Sequence, residues 1–254
     1  PLLKQFWIGL YIAVLAIIIF SRILTPLWLS LWSNLKVVEV VRETNDVVSV
    51  YVSGRHLNRF KAKGGQFFQW RFMTRHWWWQ AHPYSLSAKP TNNLMRITVK
   101  DLGDQSATLE RDLKPGTRVI VEGPYGIFTA KHRYTNNVVA FAAGIGVTPI
   151  RAMMDELPAG VNTTFIYRVS KDQQAPLRQE VENIAASKGW TLHILEGHRD
   201  EHPMTVEYMS RYAPDLAQSD IYVCGPEGFM NGVLELAEKA GIPEKRVHHE
   251  LFAF

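Results

Sequence analysis

The sequence predicts three parts in order: an N-terminal transmembrane helix over residues 1–33, an antiparallel β-barrel over 34–134, and an α/β domain with a parallel sheet over 135–254. Three observations predict them. Leu2 to Thr25 is almost wholly apolar. Between about Asn34 and His132, short segments alternate apolar and polar residues with period two, and turn residues separate them. From about Thr135 onward, apolar strand-like runs alternate with helix-period segments.

The first segment is long enough to span a bilayer. At 1.5 Å per residue it measures roughly 36 Å, against a hydrocarbon core of about 30 Å. Lys4 and Arg22 lie near its ends, where both can snorkel to opposite interfaces. Trp7, Trp28 and Trp32 suit interfacial belts. A cleaved signal peptide fits poorly, because the segment has no small-residue cleavage site and runs on into Pro26-Leu27-Trp28-Leu29. Lys36 and Arg42 follow the helix and one lysine precedes it, which places residues 34–254 in the cytoplasm and the chain at the cell membrane. Residue 1 is proline, as expected of a chain that starts inside a longer polypeptide.

Composition narrows the partners. The chain has 254 residues, 46% of them hydrophobic, with eight tryptophans, enough for two ordinary cores. A net charge of +4 without a basic stripe points to anionic cofactors and a membrane surface, not to nucleic acid. The single cysteine excludes an internal disulfide and fits a reducing compartment. Neither C-x-x-C nor H-E-x-x-H occurs, so no protein metal site is expected.

The barrel strands read as Val37–Val41, Val47–Val52, Phe67–Phe72, Arg96–Leu102 and Arg118–Val121, with turns at Gly64-Gly65 and Pro115-Gly116. His82-Pro83-Tyr84-Ser85-Leu86-Ser87 is a further strand-like phrase. Alternation of faces lets Tyr84 lie on a flat ring such as isoalloxazine while Ser85 reaches its N5 edge. An ordinary strand with a buried tyrosine has the same pattern. Val99 and Lys100 lead into Asp101-Leu102-Gly103-Asp104-Gln105-Ser106. There Gly103 permits close backbone approach, and Ser106 can cap a short helix over Ala107–Leu113 whose amides suit a phosphate. A plain capped helix is the alternative.

In the last part, strands read as Val138–Ala142, Thr164–Val169, Thr191–Leu195, Asp220–Cys224 and Val247–Leu251. Helices read as Thr148–Leu157, Leu177–Lys188, Val206–Tyr212 and Phe229–Ala240. Ligands bind beyond the carboxyl ends of such strands. Gly144 and Gly146 stand at the first of these ends, followed by Thr148 and by Pro149 where the usual fingerprint has a third glycine. Their amides and the helix start favour a pyrophosphate, and proline suits a first helical turn. Arg168 ends the second strand and Arg199 follows the third; with Arg178 as a third candidate, they are placed to hold a 2′-phosphate or are surface arginines. Cys224, before Gly225 and Pro226, is either a buried structural thiol or a group that touches a nicotinamide.

These phrases, H-P-Y-S-L-S, L-G-D-Q-S, E-G-P-Y-G, G-I-G-V-T-P, C-G-P-E-G-F and a terminal E-L-F, resemble the ferredoxin–NADP reductase superfamily. Within it the chain looks like the dehydrogenase half of the NADPH oxidase and ferric reductase membrane family, its first helix standing for the last membrane helix. The resemblance implies an FAD-binding barrel domain and a Rossmann-like NAD(P)-binding domain. His82, Pro83, Tyr84, Ser85 and Ser106 would contact FAD. Gly144, Gly146, Thr148, Pro149 and Arg168 would hold NADPH, with NADH possible. Glu250 and Phe252 match the closing E-x-aromatic whose ring covers the flavin; Phe254 is the alternative lid. No histidine falls within residues 1–55, so any haem b belongs to parts of the parent protein outside this chain.

The activity so implied is hydride transfer from NAD(P)H to FAD, with Ser85, Cys224, Glu250 and Phe252 around the reacting atoms. Electrons would then pass singly to haems and on to O2, giving superoxide. A ferric-chelate reductase would have the same cytoplasmic half. A membrane-tethered flavin sensor without turnover is the alternative of another class.

Overall fold

The structure is a computed structural model and describes residues 2–101, 109–171 and 174–251. An apolar helix opens the chain. Helix α1 (Leu2–Ile19) passes through a single π turn (Phe20–Leu24) into α2 (Thr25–Ser33) without a break. Pro26, which has no N–H to donate, stands in the first turn of α2. In the π turn the Thr25 amide and hydroxyl both donate to the Phe20 carbonyl, and the hydroxyl bond is 2.9 Å. Asn34 then ends the helix in the left-handed region at φ 51°.

The barrel follows. Strands β1 (Lys36–Thr44), β2 (Val47–Ser53) and β5 (Leu94–Lys100) form one antiparallel sheet. Strands β4 (His82–Ser85), β3 (Phe67–Phe72) and β6 (Val119–Tyr125) form another. Bridges between Lys36 and Arg118 and between Leu86 and Ile97 join their edges, closing the order β1-β2-β5-β4-β3-β6. Period two fills the interior: Val50 and Val52, Phe68, Trp70 and Phe72, and Ile97 and Val99 are buried together. The short helix α3 (Leu109–Asp112) precedes β6.

Helix α2 lies along the outside of β6. The Ser30 hydroxyl accepts from the Val121 amide at 3.0 Å, and Arg22 donates to Glu122 at 2.7 Å and to Tyr125 at 2.8 Å. The helix leaves the barrel at the Tyr125 end, and α1 projects beyond it with no buried residue.

The last part is a five-stranded parallel sheet in the order β11-β10-β7-β8-β9, made of β7 (Asn137–Ala143), β8 (Asn162–Val169), β9 (Thr191–Glu196), β10 (Asp220–Gly225) and β11 (Val247–Leu251). Both faces are covered, so its strands are apolar without alternation. Ala140, Ala142, Phe165 and Tyr167 pack under α4 (Val147–Glu156) and α5 (Arg178–Lys188). Phe141, Ile166 and Val223 pack under α6 (Val206–Met209) and α7 (Glu227–Lys239). The order reverses between β7 and β10, which opens a crevice at their carboxyl ends.

Barrel and sheet pack closely. A side chain on Gly64 would stand 2.1 Å from the Ala152 carbonyl oxygen of α4. Phe128 meets Tyr222 edge-on at 5.3 Å, and the Tyr222 hydroxyl donates to the Thr129 carbonyl at 3.0 Å. We expect Gly64→Ala to cost about 1–3 kcal/mol by forcing the two bodies apart. Gly160→Ala is the control, since its added methyl meets nothing within 4 Å. Thermal melts of the two variants that coincide would refute the close approach.

Candidate active site

The first half of the site is a ledge on β4. His82 and Tyr84 are alternate residues, so their rings share one face, parallel within 13° and 5.9 Å apart. Trp77 meets His82 edge-on at 5.0 Å, and the Trp70 indole donates to the Tyr84 carbonyl at 3.0 Å. Burial pushes the Tyr84 phenol up to about 12 and lowers the His82 imidazole, so both rings are neutral near pH 7. Pro83 between them is exposed. Ser85, on the other face, is buried and pairs with Phe67, which pairs in turn with Tyr125. Val99 points into the barrel core, whereas Lys100 reaches Asp46 at 3.3 Å and lines the neighbouring cleft.

That cleft, of about 930 Å³, is the second half. Gly144, Ile145, Arg168, Gly225 and Pro226 line it. Gly144 has φ +53° and open space where a side chain would be. Gly146 serves packing: its Cβ would stand 2.3 Å from the Cys224 carbonyl oxygen, so glycine there lets the turn press against β10. Thr148 and Pro149 are buried, and the Thr148 hydroxyl donates to the Ile145 carbonyl at 3.0 Å. Both shape the turn and the helix start, which presents its amides to an anion.

Arg168 stands in the far wall. Its guanidinium donates to the carbonyls of His202 at 2.7 Å and His198 at 3.3 Å, while its buried Nε has no partner among the described residues. An anionic ligand is the natural partner for such a donor. Arg199 lies in the same loop, in the 3₁₀ turn Arg199–Glu201. Arg178 is held outside by Glu182 at 2.9 Å and Glu196 at 2.6 Å.

The seam between ledge and cleft carries the thiol. The Cys224 Sγ–H donates to the Glu250 carbonyl at 3.3 Å, and burial pushes the thiol well up, so it is protonated and not a nucleophile. Burial likewise raises the Glu250 carboxyl to about 7. A side chain added to Gly126 would lie 3.6 Å from that carboxyl and 3.4 Å from the Phe67 ring. Strand β11, which carries Glu250 and pairs with the thiol's strand β10, therefore comes close to the barrel where Phe67 pairs with Ser85. Gly103, Ser106, Phe252 and Phe254 lie outside the described residues.

Sequence reasoning passed over His198, His202, Met204 and Phe229, which also line the cleft. The two histidines sit in a polar loop after β9 that has no motif. Phe229 closes the phrase C-G-P-E-G-F, of which sequence reasoning assigns only Cys224, Gly225 and Pro226 to the site.

A neutral aromatic ledge fits a flat ring, and a glycine turn at a helix start with an unsatisfied guanidinium nitrogen fits a dinucleotide. The chain belongs to the ferredoxin reductase-like flavoproteins, in which an FAD-binding domain precedes an NAD-binding one. Residues 32–129 match the FAD-binding domain and residues 141–235 the oxidoreductase NAD-binding domain. It is an NAD(P)H-dependent flavin oxidoreductase of the electron-transferring kind.

The chain is 26% identical over 257 residues to the glycine betaine monooxygenase reductase subunit of Pseudomonas aeruginosa, covering 91% of this chain and 68% of the relative. It is 25% identical to the flavohemoprotein of Bacillus subtilis, covering 83% of this chain and 57% of that protein. The FAD/NAD-binding domain of nitric oxide dioxygenase from Vibrio cholerae superposes with a TM-score of 0.68 at 25% identity, over 87% of this chain and 98% of that one. Ferredoxin-NADP+ reductase of Plasmodium falciparum shares the fold at a TM-score of 0.68 and 18% identity, over 86% of this chain and 95% of that one.

Glu250 gives a pH signature. Its folded pKa of about 7 lies above its ordinary value of 4.5, so the folded state holds an extra proton between them. Its contribution to stability is therefore present in full below pH 4.5 and lost as pH rises through about 7. We expect flavin reduction by NAD(P)H to show an inflection near that upper value in the wild type and none in Glu250→Gln. An unchanged inflection in the variant would assign it to another group.

Proposed function

We propose that this chain is the cytoplasmic dehydrogenase half of a membrane-spanning electron-transfer enzyme of the NADPH oxidase and ferric reductase type. It takes NADPH, or NADH, from the cytoplasm and sends electrons through haems held elsewhere in the parent protein to O2, which becomes superoxide. The observation that carries the membrane part is the helix over Leu2–Ser33, 32 residues long, apolar and unburied along its candidate span. At 1.5 Å per residue it is about 48 Å long. That exceeds the hydrocarbon core, and the surplus is the part seated on β6.

The chain's residues divide the work. When bound, the flavin accepts hydride from the nicotinamide and releases electrons singly. The His82–Tyr84 ledge would orient its ring, and Ser85 would stand at the reacting edge. Gly144 and the start of α4 would hold the dinucleotide pyrophosphate, with Arg168 on its adenosine side. Cys224 and Glu250 would set polarity at the seam, where the thiol is buried and the carboxyl partly so. Phe252, or Phe254, would cover the flavin until the nicotinamide displaces it. Positioning supplies most of the rate.

A second reading follows from the relatives that are named reductase subunits of monooxygenases: electrons leave to a separate oxygenase. Ferric chelates are the third acceptor. Two measurements decide. The chain should stay with membranes washed in alkaline carbonate; its release into the soluble fraction would overturn the anchoring. The flavin-loaded protein should lose its visible absorbance on NADPH addition, and membranes with the parent protein should then reduce cytochrome c in a manner sensitive to superoxide dismutase. An unbleached flavin would overturn the reductase step. Ferric-chelate reduction without superoxide would reassign the acceptor.

A further inference from the structure

One cluster of charge outside the site spans both domains. Arg96 projects from the middle of β5, only 5% exposed. Its guanidinium grips the continuation of the flavin strand: Nε donates to the Ser87 hydroxyl at 3.0 Å and Nη2 to the Ser87 carbonyl at 2.7 Å. The same guanidinium forks onto Glu180 of α5, at 2.5 Å from Nη1 to Oε1 and 2.9 Å from Nη2 to Oε2. Glu180 Oε2 also accepts from Arg151 Nε at 2.6 Å. Arg151 belongs to α4, the helix that starts at the glycine turn, and pairs along that helix with Asp155. Asp155 closes the circuit by accepting the Lys89 amide at 3.0 Å, two residues beyond Ser87.

One carboxylate is thus bonded at once to the arginine that fixes the Tyr84–Ser87 strand and to the arginine on the dinucleotide helix. Burial alone would raise Glu180, but its bonds to Arg96 and Arg151 outweigh that and hold it below the ordinary carboxylate range. It is therefore ionised, and the bidentate fork fixes direction as well as distance.

We propose that Glu180 is a positioning residue that sets the spacing between the flavin ledge and the dinucleotide turn, and so the approach of the two cofactors. It touches neither cofactor site itself. The geometry needed for hydride transfer tolerates little error, and a displacement of about 1 Å can cost on the order of a hundredfold in rate. A clamp made of one carboxylate between two guanidiniums holds such a spacing better than apolar contact, which is non-directional. The proposal rests on the reductase chemistry and is independent of the final acceptor.

The test uses the full flavin-loaded chain and Glu180→Gln, which keeps shape and loses charge. Stopped-flow reduction at saturating NADPH should slow on the order of tenfold or more, with KM and flavin content within about twofold of wild type. Glu180→Asp should restore part of the rate. Spin labels at Asn45→Cys on the barrel and Glu238→Cys on α7, both exposed, should report a broader interdomain distance in Glu180→Gln. Arg151→Gln, which cuts only the α4 side, should slow reduction in the same direction. An unchanged rate in either glutamine variant overturns the proposal. So does loss of flavin or folding in parallel with rate, which would make the cluster a stability tie only. If the wild type itself fails to bleach, the reductase reading falls instead.

Discussion

Close backbone approach along the seam between barrel and sheet is the constraint on which the rest depends. Gly64 lets a barrel turn rest on the α4 backbone, Gly126 leaves room for Glu250 beside Phe67, and Gly146 presses the dinucleotide turn against the Cys224 carbonyl. At Gly64 and Gly146 a side chain would displace backbone, and backbone yields little in an interior packed to crystal density. The seam fixes where the carboxyl ends of the sheet face the barrel.

Charge is distributed to match. Groups at the meeting point are neutral near pH 7 or close to it: a protonated thiol, a phenol pushed up, an imidazole pushed down and a carboxyl raised to about 7. Formal charges stand at the periphery, on Arg168, Lys100 and the Arg96–Glu180–Arg151 cluster. A centre of low formal charge suits transfer of a hydride, since it sets few fixed charges beside the reacting atoms.

Much of this was legible in the chain. Alternation gave the barrel strands within a few residues, most plainly for β3, where buried and less buried residues alternate. The carboxyl-end turn at Gly144–Gly146 was legible because glycine there follows an apolar strand. The strand His82–Ser85 was readable only from its phrase, being too short for a period. The run of the helix on past Pro26 to residue 33 was readable from its apolar composition, whereas the π turn at Phe20–Leu24 was not, since no local pattern marks it. Helix α6 ends at Met209, not at Tyr212, because the chain turns at Ser210–Tyr212 under bonds from Arg211 and Tyr212 amides to nearby carbonyls. Arg96 and Glu180, 84 positions apart, look like ordinary surface charges, and only the docking of two domains brings them together.

The π turn has a mechanical consequence. Between Phe20 and Leu24 the extra residue per turn rotates the upper helix relative to the lower, and Arg22 within it is pinned to Glu122 and Tyr125 on β6. Ser30 fastens the same rod to β6 about two turns further on. With two fixings on one strand, the rod cannot swivel on the barrel as a flexible tether would. For a membrane-inserted α1, the flavoprotein would thus stand at a set height and azimuth above the lipid, like a lamp on a bracket.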